Sequence, residues 1–251
     1  KITISKSGYA TESLDDVFLT VSETAKLNVA LVSNADIDEV VVTGTKTATV
    51  QTSLAVTAQD IENIPTTQFY RVAYNPHQSD IYYGGAQDNG SMGGNEDEIN
   101  NWARIFGGDG FQMAFDPDNS DRFFVETQRG NIGVTLDGGI SYDSGNNGID
   151  DSDRRNWDMP YIISPHTSQI LYTGTYRVYY GEGDIPEWNP ISEDLTDGAD
   201  ANSRYNNITA IDESPIEEGL LYAGTGDGNV WRGDNVGTTW TSISDGLPDQ
   251  Y

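Results

Sequence analysis

After about residue 68 the chain falls into short runs of alternating apolar and polar residues, each closed by turn formers. One unit recurs four times. A small or polar residue and a proline are followed by a polar spacer and then by an apolar or aromatic strand. Asn75-Pro76 leads to Ile81-Tyr82-Tyr83-Gly84, and Asp116-Pro117 leads to Arg122-Phe123-Phe124. Ser164-Pro165 leads to Ile170-Leu171-Tyr172, and Ser214-Pro215 leads to Leu220-Leu221-Tyr222. The four prolines stand 41, 48 and 50 residues apart. Ahead of this repeat, Lys1–Ser5, Val17–Val21, Lys26–Val32 and Glu39–Thr43 also read as short strands, with half-buried alternation in Lys26-Leu27-Asn28-Val29-Ala30-Leu31.

A period in the forties with several strands per copy predicts an all-β fold whose repeated part is a β-propeller. The expected blades are about 68–107, 108–156, 157–203 and 204–251. In the second, strand A is Phe111–Phe115, strand B Arg122–Thr127, strand C Asn131–Thr135 and strand D begins at Ser141-Tyr142. Asp-Pro and Gly-Gly supply the turns between them.

Composition changes this picture at one place. Before Pro65 there are two of the 27 glycines, the aromatics are Tyr9 and Phe18, and Trp is missing. The sequence therefore predicts a small β-sandwich-like segment at 1–66 and blades at 67–251. The formal net charge is −27, from 40 acidic and 13 basic residues. Such a field repels phosphate backbones and argues against nucleic acid as a partner. There is no cysteine, so neither disulfides nor thiol chemistry are available.

Two groups of motifs resemble known families. Thr135-Leu136-Asp137-Gly138-Gly139-Ile140-Ser141-Tyr142 fits the Asp-box of BNR repeats, and Gly233-Asp234-Asn235-Val236-Gly237-Thr238-Thr239-Trp240 is a weaker copy. In both, the expected role of Thr135, Asp137, Gly139, Ser141 and Tyr142, and of Asn235, Gly237, Thr239 and Trp240, is structural. The Asp or Asn accepts turn N–H groups, Gly takes the unusual backbone angle and the aromatic packs between sheets. FYRVAYNPHQSDIYYGGAQDNG, NWARIFGGDGFQMAFDPDNSD and ITAIDESPIEEGLLYAGTGDGNVWR extend the resemblance, over 68–251, to BNR propellers related to sortilin and to xyloglucanase-type glycoside hydrolases. That family usually closes with about six or more blades. The chain thus reads as a fragment, or as pieces joined near Thr66–Gln68, with Leu247-Pro248-Asp249 leading to a fifth blade. Residues 1–66 resemble the front of a TonB-dependent outer-membrane receptor: a carboxypeptidase-regulatory-like sandwich, a DEVVVTG box at 38–44, and a plug start at Leu54–Glu62.

Blade topology separates the side chains by face. A–B and C–D turns share one side, which takes His77 and His166 as turn residues. B–C turns and D–A links share the other. That second side would present Gln68, Gln87, Asp88, Asn89, Asp109, Gln128, Arg129, Trp157, Asp158, Tyr176, Arg177, Arg204, Tyr205 and Asp227. Rings, amides and carboxylates together suit a sugar ligand, since rings stack on its apolar faces and the polar groups bond hydroxyls. The expected role is non-catalytic binding of a polysaccharide or an extracellular protein, at the cell surface or outside the cell. A glycoside hydrolase is the first alternative, with Asp109 of Gly107-Gly108-Asp109-Gly110 as catalytic carboxylate and Asp88 or Asp158 as its partner. A component of a TonB-dependent uptake system at the outer membrane is the second. A sialidase would need an arginine cluster such as Arg129, Arg177 and Arg204, but the Phe/Tyr-Arg-Ile-Pro opening of sialidases is missing. No cofactor is expected. Calcium is the one metal with candidate ligands, in Asp150-Asp151-Ser152-Asp153 and Asp194–Asp200, neither of which fits the EF-hand pattern.

Overall fold

The computed structural model describes residues 2–4, 9–14, 67–97, 101–199 and 206–247. The chain divides into two compact units, Lys1–Pro65 and Thr66–Tyr251. In the first, strand β1 (Ile2–Ile4) pairs antiparallel with β2 (Glu12–Leu14), a partner the alternation pattern did not single out. The strands expected at Val17–Val21, Lys26–Val32 and Glu39–Thr43, the DEVVVTG box and the plug-like Leu54–Glu62 lie outside the described residues.

The second unit is all-β, with no helix among the described residues. It contains four antiparallel four-stranded sheets, each a consecutive meander. The first holds β3 (Phe69–Ala73), β4 (Tyr82–Ala86), β5 (Gly90–Gly94) and β6 (Ala103–Phe106). The second holds β7 (Met113–Phe115), β8 (Phe123–Thr127), β9 (Asn131–Thr135) and β10 (Asp143–Ser144). The third holds β11 (Tyr161–Ile163), β12 (Ile170–Gly174), β13 (Val178–Glu182) and β14 (Glu187–Pro190). The fourth holds β15 (Ile208–Glu213), β16 (Leu221–Thr225), β17 (Val230–Asp234) and β18 (Thr239–Ser242). These are propeller blades, with strands A to D in chain order.

The second blade is narrower than the sequence implied. Strand A begins at Met113, although Phe111 N still donates to Glu126 O of strand B (3.2 Å), while Gly110 N turns to Ala86 O of the first blade (3.0 Å). Strand D begins at Asp143 rather than Ser141. The amides of Ile140 and Ser141 are both committed to the Asp137 carboxylate, at 3.0 and 2.9 Å, and so cannot join the ladder.

The repeated residue before proline has a physical role in every blade. Its side chain accepts the N–H two residues on. His77 N donates to Asn75 Oδ1 (2.9 Å), Asp118 N to Asp116 Oδ1 (2.8 Å), His166 N to Ser164 Oγ (3.2 Å) and Ile216 N to Ser214 Oγ (3.2 Å). These local turns set the reversal from strand A to strand B. They also meet across blades. His77 Nε2 lies 2.9 Å from Asp116 O, and His166 Nε2 lies 2.8 Å from Ser214 O, so each histidine bridges to the next blade's proline turn.

The core sits between the sheets. One cluster joins blades two and three through Phe124, Val134, Met159, Tyr161, Leu171 and Trp188. Another joins blades three and four through Tyr172, Val178, Ile208, Ile211 and Leu221. Around Met113, Phe123 and Val125 a third packs against Tyr83 and Ile105 of the first blade. Backbones approach closely where blades one and two meet: a Cβ on Gly85 would stand 2.1 Å from Phe111 O, so a larger residue would push the sheets apart.

Candidate functional site

The B–C turns and the D–A links leading into each strand A gather on one side of the blades, as a meander requires. Asp88 and Arg129 occupy B–C turns with left-handed backbone, at φ 60° and 64°. The turns are anchored to neighbouring links: Gln87 N donates to Gln68 O (2.9 Å), and Arg129 N to Trp157 O (2.9 Å). Asn89 Nδ2 donates to Gln87 O within its own turn (2.8 Å).

A chain of rings crosses this side. Tyr70 stacks on Phe111 with centroids 4.7 Å apart, and Phe111 meets Trp157 edge-on at 6.3 Å. Phe111 is buried, whereas Trp157 is 46% exposed. The Arg129 guanidinium stands 6.0 Å from the Trp157 ring centroid. A large exposed indole held by a buried ring beneath it is a preorganised platform.

Beside the platform, Arg71 of the first blade reaches Asp158 of the third. Its Nε and Nη2 donate to Asp158 Oδ2 at 2.8 and 2.7 Å. Asp158 Oδ1 is buried with no hydrogen-bond partner among the described residues. Glu126 of strand β8 lies close by and is 0% exposed. Its Oε1 accepts from Met159 N (2.8 Å), while Oε2 has no hydrogen-bond partner among the described residues. Burial first, and the Asp158 carboxylate second, push the Glu126 carboxyl well above the ordinary carboxylate range, which favours its neutral form.

The other expected site residues fall into separate networks. Asp109, 7% exposed, accepts Asp88 N at 2.7 Å through Oδ1. It therefore closes the Gly-Gly-Asp-Gly turn onto the first blade's B–C turn, while Asp158 is tied to Arg71. Arg177 grips Asp153 through Nε and Nη2, both at 3.0 Å, with Tyr179 Oη (2.7 Å) and Thr175 Oγ1 (2.8 Å) donating to the same carboxylate. Tyr176 lies under both Arg154 (4.4 Å) and Arg177 (5.3 Å). Asp227 Oδ2 accepts Asp197 N at 2.7 Å, and Asp194 pairs with Arg154 at 2.8 Å. The two acidic loops thus spend carboxylates on arginines, hydroxyls and amides. Among the described residues no group of three or more His, Asp and Glu side chains converges on a metal position. Gln128 is half-buried in its B–C turn, and Arg204 and Tyr205 lie outside the described residues.

On the far side, Asp137 Oδ1 accepts from Thr135 Oγ1, Ile140 N and Ser141 N, and Oδ2 from Ser141 Oγ (2.6 Å). Those donors, led by the Ser141 hydroxyl, lower its pKa to about 2. Gly139 N donates to Thr135 Oγ1 (2.9 Å), and Tyr142 packs on Phe106 and Phe123. In the turn at 234–240, Asn235 and Val236 both take positive φ, Gly237 follows at 72°, and Thr238 N and Oγ1 donate to Asn235 O.

Arg71 and Glu126 were not singled out from the sequence. Glu126 carries a readable signal, since it interrupts the apolar run Phe123-Phe124-Val125 in a strand buried on both faces. Arg71 has none, because its partner is 87 residues away.

No family model matches the chain, and no curated protein does. Solved structures do. The crystal structure of a GH74 enzyme from Niastella koreensis aligns with TM-score 0.52 and 17% identity, covering 73% of this chain and 30% of that one. An ancestral GH74 enzyme aligns with TM-score 0.44 and 15% identity, over 72% of this chain and 32% of its own. This chain thus spans less than a third of the length of either. The first likeness is one of fold, and the fold the chain shares is the β-propeller.

Proposed function

We propose that this propeller binds a polysaccharide without cleaving it, at the cell surface or outside the cell, through the side that carries Trp157. The observation that carries the reading is the exposed Trp157 ring, braced by Phe111 and bordered by Arg129 and the Arg71–Asp158 pair. An indole face flanked by charged hydrogen-bonding groups matches a sugar ring and its hydroxyls. The likeness of fold to a GH74 enzyme is in keeping with carbohydrate as the ligand class.

Hydrolysis is the weaker reading on the geometry of the acids. Asp109 is buried in its turn, Asp158 is held by Arg71, and Glu126, the carboxyl with the raised pKa, is sealed from solvent. A cleaving pair needs two carboxyls on either side of an accessible bond. The uptake reading rests on residues 38–44, which lie outside the described residues.

The test is binding to soluble xyloglucan and mixed-linkage glucan by affinity electrophoresis. Trp157→Ala should weaken retardation at least about tenfold, equivalent to ~1.4 kcal/mol, with unchanged thermal unfolding. Equal retardation of wild type and variant would exclude this platform. Release of reducing ends that Asp109→Asn abolishes would replace binding with hydrolysis.

A further inference from the structure

The third and fourth blades carry the same cross-strand unit, and it is sealed in one and open in the other. In blade three, Gly181 pairs with Trp188, and Tyr179 stands two residues earlier on the same face. In blade four, Gly233 pairs with Trp240, and Trp231 occupies the place of Tyr179. Gly233 lets the Trp240 ring lie flat on the sheet, for a Cβ there would stand 2.8 Å from it. Tyr179 and Trp188 are 0% and 3% exposed. Trp231 and Trp240 are only half-buried and line an open groove of about 730 Å³.

The difference lies in the link that precedes each unit. Between blades two and three the link presses onto strand β14: Trp188 N donates to Asn147 O at 2.8 Å, and a Cβ on Gly148 would stand 2.2 Å from Trp188 O. Both links also accept an indole N–H, for Trp188 Nε1 donates to Gly145 O (2.7 Å) in blade three and the 191–195 link takes up both indoles of blade four. Trp240 Nε1 donates to Ile191 O (2.9 Å) and Trp231 Nε1 to Leu195 O (2.7 Å). Both indole N–H groups are consumed, so the rings offer the groove only carbon.

The chemistry of the rim selects the occupant. Arg177 contributes no free cation, because Asp153 holds it through two bonds. Glu193 is exposed and Asp194 stands beside it, which disfavours an anion. Ser192 and Thr238 spend their hydroxyl protons on Glu193 O and Asn235 O, so at the rim they act as acceptors. Trp231 and Trp240 are diagonal neighbours on adjacent strands, a spacing of about 7–8 Å. They form a strip along the sheet rather than a cage converging on one point, so a single cationic head is a poor match. A strip of carbon faces edged by acceptors matches a linear chain of pyranose rings, whose hydroxyls can donate to the rim, and the volume is within the range of small-molecule sites.

We infer that the groove between blades three and four is a second, lateral site for a neutral linear oligosaccharide. This groove is lined by none of the residues of the Trp157 platform. The test is titration of the ¹⁵N-labelled full chain with cellotetraose and xylotetraose, following the indole N–H signals of its five tryptophans. Trp→Phe variants assign each signal, and Trp188 serves as the buried reference. Saturable shifts at Trp231 and Trp240, in wild type and in Trp157→Ala alike and without movement at Trp188, are expected. Glu193→Lys, at an exposed rim position, should weaken them about fivefold while Trp188 stays in place. Shifts at Trp157 alone would overturn the groove and leave the proposed function standing. No shift at Trp231 or Trp240 with either sugar overturns it as well, as would saturation by tetramethylammonium in place of sugar.

Discussion

Glu126 shows how one residue can carry both stability and positioning. Its Oε1 receives Met159 N and so pins the link that presents Trp157 and Asp158. Because the folded carboxyl is raised above its unfolded value, its stabilising effect is full below the unfolded pKa. It is lost as pH rises through the folded pKa, where ionisation would leave a charge with Oε2 unpaired. Glu126→Gln keeps the shape and cannot ionise. Chemical denaturation from pH 4 to pH 8 should therefore show wild-type stability falling relative to the Gln variant as pH rises. Parallel curves would mean that Glu126 titrates normally. Asp137 has the opposite sign: its lowered carboxyl helps the turn above the unfolded pKa and stops helping as pH falls toward about 2.

Between elements, Arg122 is the strongest single tie. It immediately precedes strand β8, is buried and pairs with Asp116 at 2.9 Å. The same guanidinium donates to Ser168 O (2.6 Å), Asp184 O (2.9 Å) and Gly183 O (2.8 Å), carbonyls of the third blade's turns. Removing it strands Asp116 and the buried Ser168 carbonyl, and unpairs the part-buried carbonyls of Gly183 and Asp184. Arg122→Ala should lower unfolding free energy by about 3–5 kcal/mol, and Arg122→Lys should recover only part of this because a point charge cannot reach all four acceptors. The histidine bridges are lighter. His166→Ala should cost about 1 kcal/mol, the usual size of a single hydrogen bond. A denaturant series on the three variants checks the order, and a loss at Arg122 no larger than that at His166 would refute it.

For the whole molecule, charge is the dominant long-range term. Forty acids face 13 bases, and several arginines are already neutralised locally by Asp116, Asp153, Asp158 and Asp194. The remaining carboxylates repel one another through solvent, and salt screens that repulsion more than it weakens the buried pairs. The melting temperature should rise by several degrees between about 10 mM and 300 mM NaCl. A fall would show that surface ion pairs outweigh net repulsion.

The sequence by itself determined the strand order and the turns. Both are local: a proline after Asn, Asp or Ser fixes a reversal through its own side-chain bond, and two-residue alternation marks each strand. The Asp137 turn was legible for the same reason, although its grip on two amides, and so the late start of strand D, showed only in three dimensions. The side that carries Trp157 was legible as a set of residue types, because a meander dictates which turns share a side. Tertiary structure decided the rest. Pairing Arg71 with Asp158, burying Glu126 beside them, and leaving Trp231 and Trp240 open where Tyr179 and Trp188 are sealed all depend on how separate blades meet. No local propensity encodes a contact between residues so far apart along the chain.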